Sequence, residues 1–289
     1  TMSIMDTVFD KARGKRMRIV LPEGTEERTL KAAESIVKQG LADVILLGNA
    51  QAIEKAAKEL DLSAVTVIDP SADARHRPYA QKLYELRKAK GMTESLAREA
   101  LKDTCFFAAA MVSAGDAHGY VSGGGNPKGY NHNTGQKTRP ALQLFKTAPG
   151  IRTASAYFIM QLQDPKWGFN GALFYADCGL NINPNEDQLA EIAVSTARTY
   201  RMFTGDEPRV GMISCSTKGS AKDPTVDKVI AATRKAQALA PDIKIDGEFQ
   251  FDAAVIPEIG ARKAPGSAIA GRCNVLIFPD LNCGNTMYK

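Results

Sequence analysis

The sequence predicts an α/β protein of two domains with mainly parallel sheets. Three observations carry that expectation. Short β-branched runs alternate with segments of helical periodicity almost throughout. The alternation comes in two rounds, parted by the Pro-Gly punctuation TAPGIR (147–152). A chain of 289 residues is also more often two domains than one. The expected domains are residues 1–148 and 149–289.

In the first round, MRIVL (17–21), ADVILLGN (42–49) and AVTVIDP (64–70) read as strands. Leu30, Ala33 and Val37 recur at helical spacing between the first two, and Gly40 is placed as the stop. Helical patterns cover about 78–90 and 93–113, GYVSG (119–123) is a strand end, and PALQLFKT (140–147) is a helix. In the second round, ASAYFIMQ (154–161) and GALFYADC (171–178) read as strands. Leu189, Ile192, Ala193, Thr196 and Tyr200 make one helix face. VGMIS (210–214) is a strand, 223–239 a helix, and IKIDGEF (243–249) and NVLIFP (274–279) are strands. DLNCGN (280–285) reads as a turn.

Composition excludes several classes. With 44% hydrophobic and 24% charged residues the chain is of ordinary globular type, and no apolar run approaches the roughly 18–20 residues of a membrane span. The opening residues carry mixed charge and no apolar stretch, unlike a secretory signal. A net charge of +5 from scattered basic residues suits a small anionic ligand better than nucleic acid. Five cysteines without a CxxC pair or zinc spacing point to reduced thiols in the cytoplasm. Three histidines without HExxH argue against a His-based metal site.

Ligands of open parallel sheets collect beyond the carboxyl ends of the strands, where helix N-termini offer free N–H groups. Three junctions fit. In LPEGTEER (21–28), Gly24 allows the turn, Thr25 can cap a helix, and Arg28 sits in its first turn. A cation there opposes the helix dipole, so Arg28 reads either as a carboxylate or phosphate ligand or as a solvated surface arginine. In SCSTKGSAKD (214–223), the hydroxyls of Ser214, Ser216, Thr217 and Ser220, the charge of Lys218 and the close approach allowed by Gly219 form either a phosphate cradle or an ordinary loop. The third junction, DLNCGN with Asn285, leaves the same choice. The loop GGGNPKGYNHNTGQ (123–136) matches neither GxGxxG nor the P-loop pattern, and His132 reads as a polar loop residue rather than a base. Arg139, just before Pro140, is placed to reach an anion, whereas Arg87 at a helix end suits the dipole there. Cys178 and Cys215 follow strands and could react, although small buried thiols are commoner. The residues by themselves point to an α/β enzyme for a small phosphorylated or anionic ligand.

Longer stretches carry a resemblance. MRIVLPEGTEERTLKAA, YELRKAKG, TRPALQLFKTAPGIRTASAYFIM, YADCGLNINPNEDQLAEIA, STKGSAKD, DGEFQFDAAVIPEI and VLIFPDLNCGN resemble the phosphate acetyltransferases of the phosphate acetyl/butyryltransferase family, from about residue 17 to the last. The resemblance implies two α/β domains with a cleft between them, an architecture shared with isocitrate and isopropylmalate dehydrogenases, and a cytoplasmic homodimer. It implies acetyl transfer between coenzyme A and phosphate, with no cofactor or metal beyond those substrates and no nucleic acid or membrane partner. In its direct mechanism a base takes the thiol proton of coenzyme A, and the thiolate attacks the carbonyl of acetyl phosphate. Arg28, Arg87 and Arg139 then stand at active-site arginine positions. Ser122, Gly123 and Thr134 line the acyl-phosphate pocket, and the 214–220 loop and Asn285 bind substrate from the second domain.

Two departures stand out. The stretch between VSG and RPALQ is longer than in the family and holds three consecutive glycines, and His118 stands where an acidic residue is usual. Family members also continue past the final turn with a further arginine, a Ser-Arg pair and the Asp regarded as general base, so the chain is expected to be incomplete at Lys289. The alternatives are phosphate butyryltransferase, with a larger acyl pocket, and a non-catalytic acyl-CoA-binding regulatory module. A nicotinamide-dependent dehydrogenase comes last, for want of a dinucleotide fingerprint.

Overall fold

Alternation of side chains along the strands explains the layers of both sheets. The computed structural model describes residues 3–123 and 134–289, with backbone alone for 134–136. The chain divides into two compact units, Phe9–Lys146 and Thr1–Val8 with Thr147–Lys289.

In the unit Phe9–Lys146, β1 (Met17–Leu21), β2 (Ala42–Leu47), β3 (Thr66–Ile68) and β4 (Gly119–Tyr120) form a parallel sheet in the order β3-β2-β1-β4. Val20, Ile45 and Leu47 face one side, where they meet Tyr79 and Leu83 of α4 (His76–Arg87), Ala97 of α5 (Glu94–Ala100), Phe107 and Met111 of α6 (Thr104–Ala114), and Leu144 of α7 (Thr134–Leu144). Leu21, Val44 and Leu46 face the other side, against Leu30 and Ala33 of α2 (Glu27–Lys38) and Ile53 of α3 (Ala50–Ala57). That two-period pattern buries the strands on both faces, as a parallel sheet requires. Each fully buried Leu or Ile stabilises by about 1.5–3 kcal/mol relative to exposure.

Local chemistry revises four expectations here. Glu26, not Thr25, caps α2: its backbone is extended and its carboxylate accepts the Thr29 N–H at 2.8 Å. The helical run 93–113 is two helices, because Asp103 accepts the N–H groups of Cys105 and Phe106 and starts α6 afresh. The pattern over 78–90 is α4 followed by a 3-10 turn, Lys88–Lys90. α7 begins at Thr134 and carries Pro140 inside it, so Arg139 lies within the helix rather than ahead of it.

In the other unit, β5 (Tyr157–Gln161), β6 (Ala172–Ala176), β7 (Arg209–Ile213), β8 (Lys244–Phe249) and β9 (Val275–Ile277) form a sheet ordered β5-β6-β9-β7-β8. Only the edge strand β5 is antiparallel, in a hairpin with β6. Phe174, Val210, Met212, Ile245 and Ile277 pack under α8 (Glu186–Thr204) and α9 (Pro224–Leu239), together with Ile4 and Val8 of α1 (Ile4–Arg13). Leu173, Tyr175, Ile213, Phe249 and Leu276 face the opposite layer, which holds α10 (Phe251–Val255) and α11 (Pro257–Lys263). A capping box at Asn185 and Gln188 starts α8.

The turn expected at 280–285 is instead a helix, α12 (Leu281–Met287). Asp280 caps it by accepting the Cys283 N–H at 2.9 Å. Gly284 sits inside it because a Cβ there would lie 2.3 Å from the Asp177 carbonyl oxygen. The helix crosses the end of β6 at that point of contact.

Candidate active site

Strand order marks one position in the unit Phe9–Lys146. From β1 the chain runs outward through β2 and β3, then returns to place β4 on the other side of β1. The helix after β1, α2, packs on one face of the sheet and the helix after β4, α7, on the other, which makes the crevice at the carboxyl ends of β1 and β4 a switch point of the topology. Glu23 lies two residues past β1, and Ser122 two past β4. Glu23 Oε1 accepts three hydrogen bonds, from Ser122 Oγ at 2.6 Å, Gly123 N at 3.2 Å and Lys137 Nζ on α7 at 2.9 Å. Gly24 closes the turn beneath, since a Cβ would sit 2.4 Å from the Leu47 carbonyl oxygen.

Cys105, in the first turn of α6, completes the cluster, with its Sγ 3.4 Å from Ser122 Oγ and 3.7 Å from Lys137 Nζ. Burial raises the Cys105 thiol, so it remains protonated and serves as a soft wall rather than a nucleophile. Burial pulls Lys137 downward, but the Glu23 hydrogen bond and the nearby charges outweigh it and hold the ammonium above its ordinary range. Lys137 is charged at any physiological pH.

The candidate arginines take different settings. Arg28 is in the first turn of α2, 74% exposed, with Nε on Glu26 Oε1 at 2.8 Å. Arg87 is half-buried at the end of α4, and Arg139 is exposed on α7. Among the described residues neither the Arg87 nor the Arg139 guanidinium has a hydrogen-bond or ion-pair partner. α4 and α7 pack against each other. Lys137 and Arg139 are two apart on α7 and so face different ways. The Thr134 side chain and His132 lie outside the described residues. His118 accepts the Arg18 N–H at Nδ1, 3.0 Å away, at the edge of the sheet.

The loop after β7 is folded around a carboxylate of the protein itself. Glu248 Oε1, at the end of β8, accepts Ser216 Oγ at 2.7 Å and Gly219 N at 2.7 Å. Ser220 Oγ accepts the Thr217 N–H, Thr217 Oγ1 accepts the Gln250 N–H, and Ser214 Oγ accepts the Ser216 N–H. Lys218 Nζ reaches Asp246 and the Gly247 carbonyl and lies over the Phe249 ring. Ser216 Oγ, Gly219 N and Lys218 Nζ thus donate to acceptors of the protein itself, the Ser214 and Thr217 hydroxyls accept backbone N–H groups, and Ser216 and Thr217 are buried. Gly219 has φ +83°, which its lack of a Cβ allows.

Beside this loop, at the carboxyl ends of β7 and β9, a cavity of about 380 Å³ is lined by Ser214, Cys215, Phe251, Phe278, Asp280 and Cys283 among others. Asn285, on α12, directs Nδ2 to the Cys178 carbonyl at 3.5 Å. Cys178 is buried and its thiol is pushed up to about 12 by desolvation, whereas Cys215 is exposed. A larger cavity, about 650 Å³, opens at the opposite end of β7 and β8 beside Arg209 and Lys244, away from the carboxyl ends where parallel-sheet ligands collect. Among the described residues no group of three His, Cys, Asp or Glu could hold a metal ion.

The structure brings Ser122 and Gly123, both named from the sequence, together with Glu23, Cys105 and Lys137, which the sequence did not single out. Glu23 stood in the quoted junction LPEGTEER, and only the neighbourhood of β1 and β4 reveals that it meets residues about a hundred positions away.

The chain matches the family model described as phosphate acetyl/butaryl transferase over residues 3–289. It is 49% identical over 288 residues to a protein of Thermoanaerobacterium thermosaccharolyticum named phosphate acetyltransferase, covering 100% of this chain and 86% of that one. A phosphate acetyltransferase of Acetivibrio thermocellus is 46% identical, with 100% of this chain and 85% of its own length covered. The solved structure of a phosphotransacetylase from Streptococcus pyogenes superposes with a TM-score of 0.89 at 40% identity, over 99% of this chain and 84% of that one. Residues, strand order and these likenesses together place the chain in the phosphate acetyl/butaryl transferase family.

Proposed function

We propose that this chain is an enzyme that transfers an acetyl group between coenzyme A and phosphate. The observation that carries the reading is the 49% identity held over the full chain with a protein named phosphate acetyltransferase. The chemistry is a direct transfer. A base takes the coenzyme A thiol proton, the thiolate sulfur bonds to the acetyl carbon of acetyl phosphate, and the carbon–oxygen bond to phosphate breaks, releasing phosphate and acetyl-CoA. The reverse direction runs through the same tetrahedral oxyanion. Such a reaction asks a protein to gather anions and stabilise developing negative charge.

Arg28, Arg87 and Arg139 bind the anionic groups in this reading, and it is supported by the Arg87 and Arg139 guanidiniums, which have no partner among the described residues. Ser122, Gly123 and Thr134 line the acyl-phosphate pocket. In the other unit Ser214 borders the apolar cavity. Ser216, Thr217, Lys218, Gly219 and Ser220 shape that border through Glu248 and Asp246 rather than through direct contact, and Asn285 anchors α12 beside it. The substrates are coenzyme A or acetyl-CoA and phosphate or acetyl phosphate. In this reading the protein acts in the cytoplasm as a homodimer, as the family resemblance implies.

The test is release of free thiol from acetyl-CoA with and without phosphate, with acetyl phosphate trapped as its hydroxamate. Thiol release and hydroxamate that both require phosphate are expected. Thiol release independent of phosphate, or none, would overturn the reading, and faster turnover of butyryl-CoA would move it to the butyryl enzyme.

A further inference from the structure

The Glu23 cluster is more elaborate than a structural ion pair needs. One carboxylate oxygen takes a hydroxyl, a backbone N–H and an ammonium at 2.6, 3.2 and 2.9 Å. These three donors come from β4's end and from α7, and the oxygen that gathers them comes from β1's end. They meet beyond the carboxyl ends of β1 and β4, where ligands of open parallel sheets collect. Both charged partners can be approached from solvent, the Lys137 side chain being 31% and the Glu23 side chain 13% exposed.

We propose that Lys137 is a phosphate-contacting residue of this chain and that Glu23 is the positioning residue that aims it. The proposal rests on the acyl-transfer reading and adds to it two residues that no arginine, Ser122, Gly123 or Thr134 assignment includes. An ammonium has three N–H donors. Glu23 takes one at 2.9 Å, and the Cys105 sulfur lies 3.7 Å away as a weak second acceptor. At least one donor remains for a phosphate oxygen. Glu23 removes most of the freedom of a long, flexible side chain before the ligand arrives, and pre-ordering of that kind lowers the cost of binding. The same oxygen turns the Ser122 hydroxyl hydrogen inward and leaves the lone pairs of Ser122 outward, so the serine's rotor is set as well. Arg139 cannot replace Lys137, because two residues along α7 it points to another face. The phosphate group would thus meet a fixed ammonium that partners it as phosphate enters or leaves the acetyl carbon.

The experiment is titration calorimetry of the full chain with inorganic phosphate, alongside turnover, for wild type, Lys137→Met, Lys137→Arg, Glu23→Gln and the double variant Glu23→Gln/Lys137→Met. Lys137→Met should weaken phosphate about tenfold to a hundredfold, the range of a charge-assisted hydrogen bond. Coenzyme A affinity and melting temperature should stay near wild type, and Lys137→Arg should restore part of the loss. Glu23→Gln should weaken phosphate less than Lys137→Met and add nothing in the double variant, because it acts through Lys137. Equal phosphate binding by wild type and Lys137→Met, or no binding by wild type, overturns the proposal. Additive losses would remove the positioning role of Glu23. A wild type that binds phosphate through Lys137 but releases no thiol would sink the acyl-transfer reading and leave this site standing.

Discussion

Arg87 and Arg139 are the residues whose chemistry is least explained by folding. Each carries a guanidinium without a partner among the described residues, and one of them is half-buried. Arg28 differs, since its Nε lies on Glu26, yet the side chain is largely exposed. Substitution of exposed charges usually moves stability by less than about 0.5 kcal/mol. Arg28→Ala, Arg87→Ala and Arg139→Ala are therefore expected to shift the melting temperature little while lowering kcat/KM for acetyl transfer by about tenfold or more, the worth of one lost charge-assisted bond. Wild-type kinetics in all three would remove the arginines from the site. Arg28 and Arg139 stood out in the sequence beside the starts of helical runs, whereas Arg87 became a candidate only through the family resemblance. The sequence did not show Glu23 or Lys137, whose meaning depends on which strands are neighbours.

At the scale of elements, the start of α2 illustrates how one side chain does several tasks. Glu26 is buried, caps the helix through Thr29 and holds Arg28. Burial works against its charge, but the Arg28 and Thr29 hydrogen bonds prevail and lower its pKa below the ordinary 4.5. A lowered folded-state pKa means stability that is present above about pH 4.5 and lost as pH falls through the folded value. Glu26→Ala should cost about 0.5–2 kcal/mol in urea unfolding at pH 7, as lost caps do. Glu26→Gln should be destabilising at pH 7 and approach wild type in strongly acid solution. A difference that does not shrink on acidification would show that the charge is not what holds the cap. The strands were mostly legible in the sequence because their β-branched runs are local signals. The antiparallel direction of β5 was not legible, nor were α10, α11 and α12, which span only five to seven residues each, too few to show a periodic face.

For the whole molecule, the α/β class and its parallel sheets follow from the alternation along the chain, and the family from long motifs in order. The cradle expected after β7 was legible as chemistry, Ser and Gly beyond a strand, but not as geometry. Glu248 arrives from another strand to fill it. Light scattering should return twice the mass of one chain, as expected for the homodimer; a monomer mass would remove that part of the reading.

Connectivity also has a consequence in time. Ile4 and Val8 pack with Phe174, Val210 and Ile277, residues that leave the ribosome long after them. β1 likewise gains β4 only after β2, β3 and five α-helices have intervened. Contacts between distant parts of a chain form late, since loop closure must precede them. During synthesis α1 therefore waits with its apolar face uncovered, and the crevice beside Glu23 is among the last features of its sheet to assemble. Vectorial folding of this chain is a race between docking of that waiting helix and its capture by a chaperone or by another nascent chain.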